Sequence, residues 1–316
     1  MPLVLEEIGE VKMEVKSSKT GVLYAFAAYI VWGLLPIYWK TLQGVPALEI
    51  LAHRIVWSFA FVTMLIVLKK QWGRVGSILR DRSKLLGLVL SALLITANWY
   101  IYIWAVNSNK VVEASLGYYF NPLLVVLIGI IVLGERIDRW QIASLALAAI
   151  GVLILAFEYG RIPWISLGLA VTFALYGLAK RLVNVDSLLG LALETAVVAP
   201  IALIYLWVGT KSGGVIGDYG MSKLLLLMGA GIVTAIPLLW FANAAKSVPF
   251  ATIGFIQYLS PTLNLLLGVL VFHEEFTSTH AWSFGFIWVA LAVYSISRIY
   301  GLRRANLSAV QPLQGK

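Results

Sequence analysis

The sequence has no cysteine and few charged residues, and both deficits narrow the class of protein. Cysteine is missing from all 316 residues, which excludes disulfide frameworks and thiolate metal sites. Charged residues make up 12% of the chain, whereas soluble domains carry roughly 25%. Hydrophobic residues make up 60%, and the mean hydropathy is +0.89. A soluble fold has too little interior for this composition, so the chain is predicted to lie in a membrane.

Sequence motifs of common enzymes are also missing. No Gly-x-x-x-x-Gly-Lys-Ser/Thr motif is present to cradle the phosphates of ATP. Neither Gly-x-Ser-x-Gly nor His-Glu-x-x-His occurs. We therefore expect a protein that is not an enzyme, has no cofactor and is not driven by ATP. A membrane-embedded enzyme and a lipid-handling or structural membrane protein remain as alternative classes.

Apolar residues occur in ten blocks of about 20, the length that crosses a hydrocarbon core about 30 Å thick. Each block is predicted to be an α-helix, because lipid cannot satisfy free backbone groups and no block alternates like a barrel strand. The predicted fold class is therefore an all-α membrane protein with ten transmembrane helices. The predicted spans are 21–39, 46–68, 85–106, 111–134, 140–158, 164–180, 187–209, 223–244, 248–272 and 281–300.

Lysine and arginine are distributed unevenly between alternate loops. With the N-terminus placed inside, the inner loops and tails hold 18 of them and the outer loops hold five, while Arg54 lies within a span. This asymmetry predicts that both termini are cytoplasmic. It also explains the net charge of +9 as a topology signal, so no nucleic-acid partner is expected. Residues 1–19 do not resemble a signal peptide and are predicted to be a cytoplasmic tail.

Two stretches, one around Pro122 and the other around Pro261, repeat the same pattern 139 residues apart. The chain is therefore predicted to be a duplication of five spans. Because five is an odd number, the second copy enters the membrane from the opposite side, which makes the halves inverted repeats. This architecture is typical of secondary transporters, with the substrate site near the midplane between the repeats. The matching pairs are Tyr119 and Tyr258, Gly129 and Gly268, and Glu135 and Glu274.

Several short stretches carry a resemblance to a known family. They are Trp32-Gly33, residues 47–58, Asn98-Trp99, Trp104–Asn107, Glu113–Tyr118, Asn121-Pro122, the Gly134-Glu135 pair that ends the fourth span, and Gly254–Thr262. With the two five-helix halves, these stretches resemble the drug/metabolite transporter superfamily, its EamA-type carriers and, more specifically, the RarD branch. One departure is His273, which stands where the family usually has glycine.

The resemblance covers about residues 20–305 and implies a multi-pass permease or exporter of the bacterial inner membrane. Its solute would be a small organic metabolite or drug-like molecule, moved by alternating access and driven by an ion or solute gradient. The implied partners are that solute and the lipid bilayer, with a coupling proton as a further candidate. The expected organisation is a tail at 1–19, a first repeat at 20–159, a second repeat at 160–306 and a tail at 307–316.

Polar residues in the fourth and ninth spans are the first candidates for a pathway. Gln257, Ser260 and Asn264 share one helical face, because residues three, four and seven apart are neighbours on a helix. They either line a pathway between the halves or hold helices together, at about 1 kcal/mol each. The third span adds a polar and aromatic stripe that fits either a cavity wall or an interfacial belt. The pathway candidates are Asn98, Tyr102, Tyr118, Asn121, Gln257, Tyr258, Ser260 and Asn264.

Five ionisable residues within the spans are candidates for binding or coupling, since such groups are functional candidates by default. In one interpretation Glu49 pairs with His53 near the interface and Arg54 extends toward the headgroups. In the other, Arg54 meets Glu194, its counterpart at a separation of 140 residues, as an ion pair or around a zwitterion. Glu113 either caps the N-terminus of its own helix or carries the proton of a coupled carrier.

Two acidic corners and two histidines complete the candidates. Glu135 and Glu274 end their helices and are each expected to cap the following helix or to pair with a neighbouring base. His273 and His280 are seven residues apart across a loop, which is weak evidence for a metal site, so no metal is expected.

Overall fold

The computed structural model describes residues 18–108, 110–160, 162–183, 185–211, 220–273 and 276–310. Within these ranges ten helices are long and apolar enough to cross a membrane, which confirms the ten predicted spans. In chain order the first to the tenth helix are Lys19–Thr41, Ala47–Leu68, Arg82–Asn107, Val111–Ile131, Arg139–Glu158, Trp164–Leu182, Ser187–Lys211, Gly220–Ser247, Phe250–Leu270 and Ser278–Val310.

The ninth helix is divided into two segments, Phe250–Gln257 and Leu259–Leu270, which meet at Tyr258. Pro261 lies in the first turn of the second segment. Proline has no backbone N–H, so it removes one hydrogen bond of the helical ladder and favours a break at this point. Pro122 holds the equivalent position in the fourth helix, which nevertheless continues without a break. The duplicated prolines therefore have different local effects in the two halves.

The corners after the fourth and ninth helices have the same backbone conformation despite different residues. Gly134 has φ +64° and His273, its counterpart at a separation of 139 residues, has φ +56°. This left-handed region is adopted readily by glycine and rarely by other residues. His273, which stands where the family usually has glycine, thus keeps the left-handed backbone at this position.

The contacts between helices of the two halves are related by a two-fold axis, so each contact has a counterpart with the halves exchanged. Three pairs lie on the axis: the second with the seventh, the fourth with the ninth, and the fifth with the tenth. The remaining contacts between the halves occur as swapped pairs. The first helix packs on the eighth and ninth, and correspondingly the sixth packs on the third and fourth. The two inverted repeats are therefore interlocked, and the interior of the molecule lies between them.

Small residues allow the closest helix crossings between the halves. A Cβ atom on Gly231 of the eighth helix would lie 2.3 Å from the backbone carbon of Trp57 in the second. The Ser58 hydroxyl donates to the Gly231 carbonyl at the same crossing (2.9 Å). At the fourth and ninth helices, a Cβ on Gly254 would lie 2.7 Å from the Pro122 carbonyl oxygen. Close backbone approach of this kind replaces hydrophobic burial as the main source of helix association in lipid.

Candidate functional site

Arg54 of the second helix is surrounded by side chains from four other helices. Its Nε donates to the Thr234 hydroxyl on the eighth helix (3.0 Å). Its guanidinium carbon lies 4.8 Å from the ring centre of Trp39 on the first helix and 5.1 Å from that of Trp99 on the third. Both distances are within the range of cation–π attraction. Arg54 therefore points into the interior, and the prediction that it extends toward the headgroups is wrong.

Two tyrosines extend this group toward the side of the membrane at which the first helix ends. Tyr102 and Tyr118 are in edge-to-face contact (centroids 6.2 Å apart), and Arg54 interacts electrostatically with both hydroxyls. Tyr118 shares its helical face with Asn121 and Val125, which are buried against other helices. Tyr118 itself is 46% exposed. Because its face turns inward, this exposure marks an opening between the helices. The residues of this Arg54 cluster are Trp39, Arg54, Trp99, Tyr102, Tyr118 and Thr234.

Glu194 of the seventh helix lies in a second polar group on the opposite side of the membrane. Its Oε2 is 2.7 Å from the Lys180 ammonium on the sixth helix. Its Oε1 accepts a hydrogen bond from the Ser91 hydroxyl on the third helix (2.5 Å). Lys180 and Glu194 are 4% and 2% exposed. Ser91, Lys180 and Glu194 form the Glu194 cluster, which closes the interior on this side.

Further polar contacts lie beside the Glu194 cluster. Lys246 of the eighth helix donates to the Val185 carbonyl and to the Ser187 hydroxyl (3.5 Å). Ser187 in turn donates to the Asn243 side chain (3.0 Å). These bonds tie the start of the seventh helix to the end of the eighth, so several helices are joined at the closed side.

The expected ion pair between Arg54 and Glu194 does not form. The inverted repeat explains why, because an axis in the membrane plane places equivalent residues at opposite depths. Each residue lies in the first half of its own helix, and the two helices begin on opposite sides. Counted from the midpoints of the two helices at 1.5 Å per residue, Arg54 and Glu194 lie about 13 Å apart along the membrane normal. The sequence correctly identified the two positions as equivalent. In an inverted repeat, however, equivalent positions lie at opposite depths and cannot meet.

The hydrogen bonds of the two clusters are nevertheless related by the same axis. Arg54 bonds to Thr234 across the second and eighth helices, and Glu194 bonds to Ser91 across the seventh and third. The contact that each charged residue makes with one further helix differs between the clusters. The first helix offers Arg54 the face of Trp39, whereas the sixth offers Glu194 the charge of Lys180.

A small cavity lies between the two clusters, with room for about one water molecule. Aromatic rings from the first, sixth and eighth helices pack beside it, with Tyr176 stacked on Phe241 at 6.0 Å. The centre of the molecule is therefore closed in this conformation. The cavity is lined by Ile55, Ile95, Thr96, Trp99, Tyr176, Leu191, Glu194, Thr195, Val198 and Leu238.

The polar residues of the fourth and ninth helices are brought together as predicted, but in a buried helix contact. The Gln257 amide donates to the Asn121 carbonyl oxygen and accepts from the Tyr29 hydroxyl (3.2 Å). Asn121 donates to the Ala170 carbonyl (2.8 Å), and Ser260 donates to the Tyr29 carbonyl (2.6 Å). These bonds join the first, fourth, sixth and ninth helices, which agrees with the helix-contact interpretation in this conformation.

Three other pathway candidates are placed differently from one another. Asn98 donates to the Leu169 carbonyl (2.8 Å) and the Thr172 hydroxyl (2.9 Å), which binds the third helix to the sixth. Tyr258 is 1% exposed and packs toward the fifth and tenth helices. Asn264 is half-buried one turn beyond Ser260.

The acidic and basic residues at the start of the second helix do not form the expected pair. His53 accepts a hydrogen bond from the Trp57 indole (3.2 Å) instead of contacting Glu49. Glu49 is fully buried, and its charge acts on the Tyr205 hydroxyl of the seventh helix. Glu49 thus belongs to the contact between the second and seventh helices.

Glu113 joins two helices of opposite halves. Its Oε1 accepts from the backbone N–H of Ile165 (2.8 Å), in the first turn of the sixth helix. Its Oε2 accepts from the Tyr159 hydroxyl (2.6 Å). A carboxylate at this position satisfies free N–H groups and meets the positive end of the helix dipole. The sixth helix is therefore the one that these contacts cap.

Glu135 has a similar role on the opposite side of the membrane. Its oxygens accept from the backbone N–H groups of Phe250 (2.6 Å) and Ala251 (2.8 Å), at the start of the ninth helix. Arg181 lies 3.5 Å away, which confirms the expected pairing with a base. The alternative, a cap on the following helix, is not the one observed, because Asp138 caps the fifth helix. Glu274 lies outside the described residues.

Some residues of the site were not found from the sequence. Lys180 was counted only as a charge that sets topology, and Ser91, Trp39 and Thr234 have no motif that marks them. Lys180 could have been identified as a site candidate because it lies within an apolar span, one helical turn from Tyr176. In the described part of the chain no group of three or more His, Cys, Asp or Glu could hold a metal ion.

Known proteins with similar sequences and structures were compared with the chain. The model of the EamA-like transporter family matches residues 19–157. The chain is 45% identical over 297 residues to the transporter YojE of Bacillus subtilis, covering 91% of this chain and 97% of that protein. It is 43% identical over 295 residues to the protein RarD of Escherichia coli, covering 93% and 100%. A crystal structure of 22% sequence identity has the same fold, with a TM-score of 0.66 over 87% of this chain and 97% of that chain.

Ten membrane-spanning helices in two inverted halves, with charged clusters between them, define the class as a multi-pass membrane transporter. The chain belongs to the EamA-like transporter family, in the RarD branch of the drug/metabolite transporter superfamily. The resemblance seen in the sequence is thereby confirmed.

Proposed function

We propose that the protein is a secondary transporter that moves a small organic solute by alternating access between its two halves. One observation carries this proposal. Equivalent positions on opposite sides of a closed centre hold an open cluster around Arg54 and a sealed cluster around Glu194. Inverted repeats interconvert two such states by rocking one half against the other around a central site.

The Lys180–Glu194 ion pair is proposed as the contact that must break when the sealed side opens. It joins the sixth and seventh helices, and Ser91 adds the third. Arg54, Tyr102 and Tyr118 are proposed to line the route on the open side. Asn98, Asn121, Gln257 and Ser260 are proposed to hold helix contacts that rearrange between states, since their polar groups are bonded across helices.

The energy source is proposed to be an ion or solute gradient, because the sequence carries no ATP-binding motif. Glu194 is the proposed coupling group. Proton binding would neutralise its carboxylate and weaken its attraction to Lys180, which favours opening of the sealed side. In vesicles with an imposed pH gradient, wild-type uptake should respond to the gradient while Glu194→Gln should not. A Glu194→Gln variant with the same response would exclude this coupling.

The transporter is proposed to lie in a bacterial-type inner membrane with both termini cytoplasmic. The support is the split of 18 inner to five outer basic residues. Because the chain has no cysteine, single cysteines can be introduced without first removing others. A cysteine at Ser77 should react with a membrane-impermeant reagent only after the cells are opened. Reaction in sealed cells would reverse the assignment.

Proteoliposomes containing the purified protein test the function directly. A panel of radiolabelled organic acids, amines and neutral amphipathic solutes should include at least one that exchanges across the membrane faster than in protein-free vesicles. The solute must be recovered chemically unchanged. Chemical alteration would support a membrane-embedded enzyme, and movement of lipid alone would support a lipid-handling protein.

A further inference from the structure

Arg54 is a cation in the interior of the molecule for which the described residues supply no anion. Three ion pairs join carboxylates and basic groups that both lie among the described residues, Asp81 with Lys84, Glu135 with Arg181 and Glu194 with Lys180, and Arg54 is in none of them. Arg54 makes one hydrogen bond with the described residues, to Thr234. A guanidinium has five N–H donors, so four of them make no hydrogen bond to the described residues.

A cation at this depth is costly unless an anion, water or an aromatic face offsets the loss of hydration. The equivalent position in the other half meets that cost with a built-in partner, since Glu194 has Lys180 at 2.7 Å. Arg54 has Trp39 and Trp99 instead, and these rings attract a cation without using its hydrogen-bond donors. The guanidinium is thus held in place with donors still available.

The shape of the opening adds a second requirement. Tyr102 and Tyr118 stand at its edge with their hydroxyls near Arg54, and Trp39 and Trp99 form its walls. Binding sites for small molecules combine apolar and aromatic walls with a few polar groups that fix orientation. Here the aromatic rings suit a flat apolar body, and the charge that the described residues place beside them, that of Arg54, is positive.

We propose that Arg54 binds the anionic group of the solute, and that the solute class is a small organic anion with a flat apolar body. A carboxylate or a phosphate would take two parallel hydrogen bonds from the guanidinium, while the body packs against the aromatic rings at the edge of the opening. This assignment rests on the proposed function, because it treats the opening beside Arg54 as part of the transport route.

Binding to the purified protein in lipid nanodiscs tests the assignment without any transport. The probes share one aromatic body and differ in charge: 1-naphthylacetate, 1-naphthyl phosphate, the neutral 1-naphthylacetamide and 1-naphthylmethylammonium. Affinity is measured by isothermal titration calorimetry. We expect one or both anions to bind, and the amide and the ammonium to bind at least about tenfold more weakly, the minimum effect of losing a hydrogen bond to a charged group. Carboxylate and phosphate are distinguished by which anion binds more tightly.

The variants are chosen so that a folding defect cannot imitate the result. Arg54→Met should weaken anion binding by about 10- to 100-fold, whereas Arg80→Met, which removes an exposed loop charge, should leave it unchanged. Arg54→Lys keeps the charge but loses the planar fork, so its affinity should lie between wild type and Arg54→Met. Tyr118→Phe removes only a hydroxyl at a partly exposed position and should weaken binding by less than Arg54→Met.

Several results would overturn the proposal. They are equal affinity for the amide and the anions, preference for the ammonium, failure of both anions to bind, or unchanged anion affinity in a folded Arg54→Met or Arg54→Lys protein. Failure of the proposed function would look different. In that case the anions would bind in an Arg54-dependent way, but vesicles would move no solute.

Discussion

The Arg54 and Glu194 clusters occupy equivalent positions in the two halves but handle a buried charge in opposite ways. Glu194 is neutralised by Lys180 and bonded by Ser91, and all three side chains are almost fully buried. Arg54 has the Thr234 hydroxyl as the counterpart of Ser91. In place of a charged partner like Lys180, it has the ring of Trp39. A duplicated scaffold therefore fixes where a charge lies, while the neighbouring side chains decide whether that side closes.

Geometry explains why the paired side is the closed one. Lys180 and Glu194 are 4% and 2% exposed, so this ion pair forms out of water and its helices must approach closely. A cation between aromatic rings has no such partner to reach, and Tyr118 beside it is 46% exposed. Five substitutions test this difference between the clusters.

Lys180→Met should have the largest effect on stability. It leaves the Glu194 carboxylate buried without a cation, which costs on the order of 3–5 kcal/mol of unfolding free energy. The measurement is a titration of purified protein in mild detergent micelles with a denaturing detergent. A loss below about 1 kcal/mol would mean that the ion pair is not the main contact on the closed side.

The double variant Lys180→Met/Glu194→Gln is the control for that result. With both charges removed, no buried charge is left uncompensated, so most of the lost stability should return. In the same variant the sealed side should open more readily. A cysteine introduced at Ser187 would then react faster with a water-soluble reagent than in an otherwise wild-type background. Equal losses in the single and double variants would contradict the pairing.

Ser91→Ala should destabilise the protein by about 1.5–3 kcal/mol, since it removes a hydrogen bond to a buried charged group. The matched substitution on the other side, Thr234→Val, should cost less, because water entering from the opening can replace the lost bond to Arg54. Both are measured in the same detergent titration. A larger loss for Thr234→Val would show that the Arg54 side is also sealed from water.

Arg54→Met should have the smallest effect on stability, within about 1 kcal/mol. It loses two cation–π contacts, worth about 0.5–1 kcal/mol each where water has access. It also relieves the cost of holding a cation away from bulk water and leaves no carboxylate unpaired. A loss of unfolding free energy comparable with that of Lys180→Met would show that Arg54 has a counter-ion. The two clusters would then not differ in how they hold their charge.

Much of the architecture could be predicted from the sequence, because the requirements are local. Ten blocks of sufficient length must form helices in lipid, since each helix satisfies its own backbone. The repeat around Pro122 and Pro261 predicted inverted halves, since an odd number of spans reverses direction. His273 shows the limit of residue identity, because its corner keeps the left-handed backbone of Gly134.

The partners of the polar residues were decided only by the tertiary structure. Helical spacing placed Gln257 and Ser260 on one face, but could not tell that this face meets Tyr29 and Asn121 in a dry contact. Glu135 was expected to cap the following helix or to pair with a base, and nothing in the sequence indicated that it also caps the ninth helix. The spacing of residues along a helix shows which face of the helix they share. It does not show which other helix packs against that face.

The Arg54–Glu194 hypothesis shows the same division most clearly. The sequence determined that the two charges are equivalent and that the repeats are inverted. The packing of the sixth helix then gave Glu194 a lysine, and the packing of the first gave Arg54 a tryptophan. The physical reason is that an in-plane axis inverts depth, so equivalent residues lie on opposite sides of the membrane and each must find its partner among the helices around it.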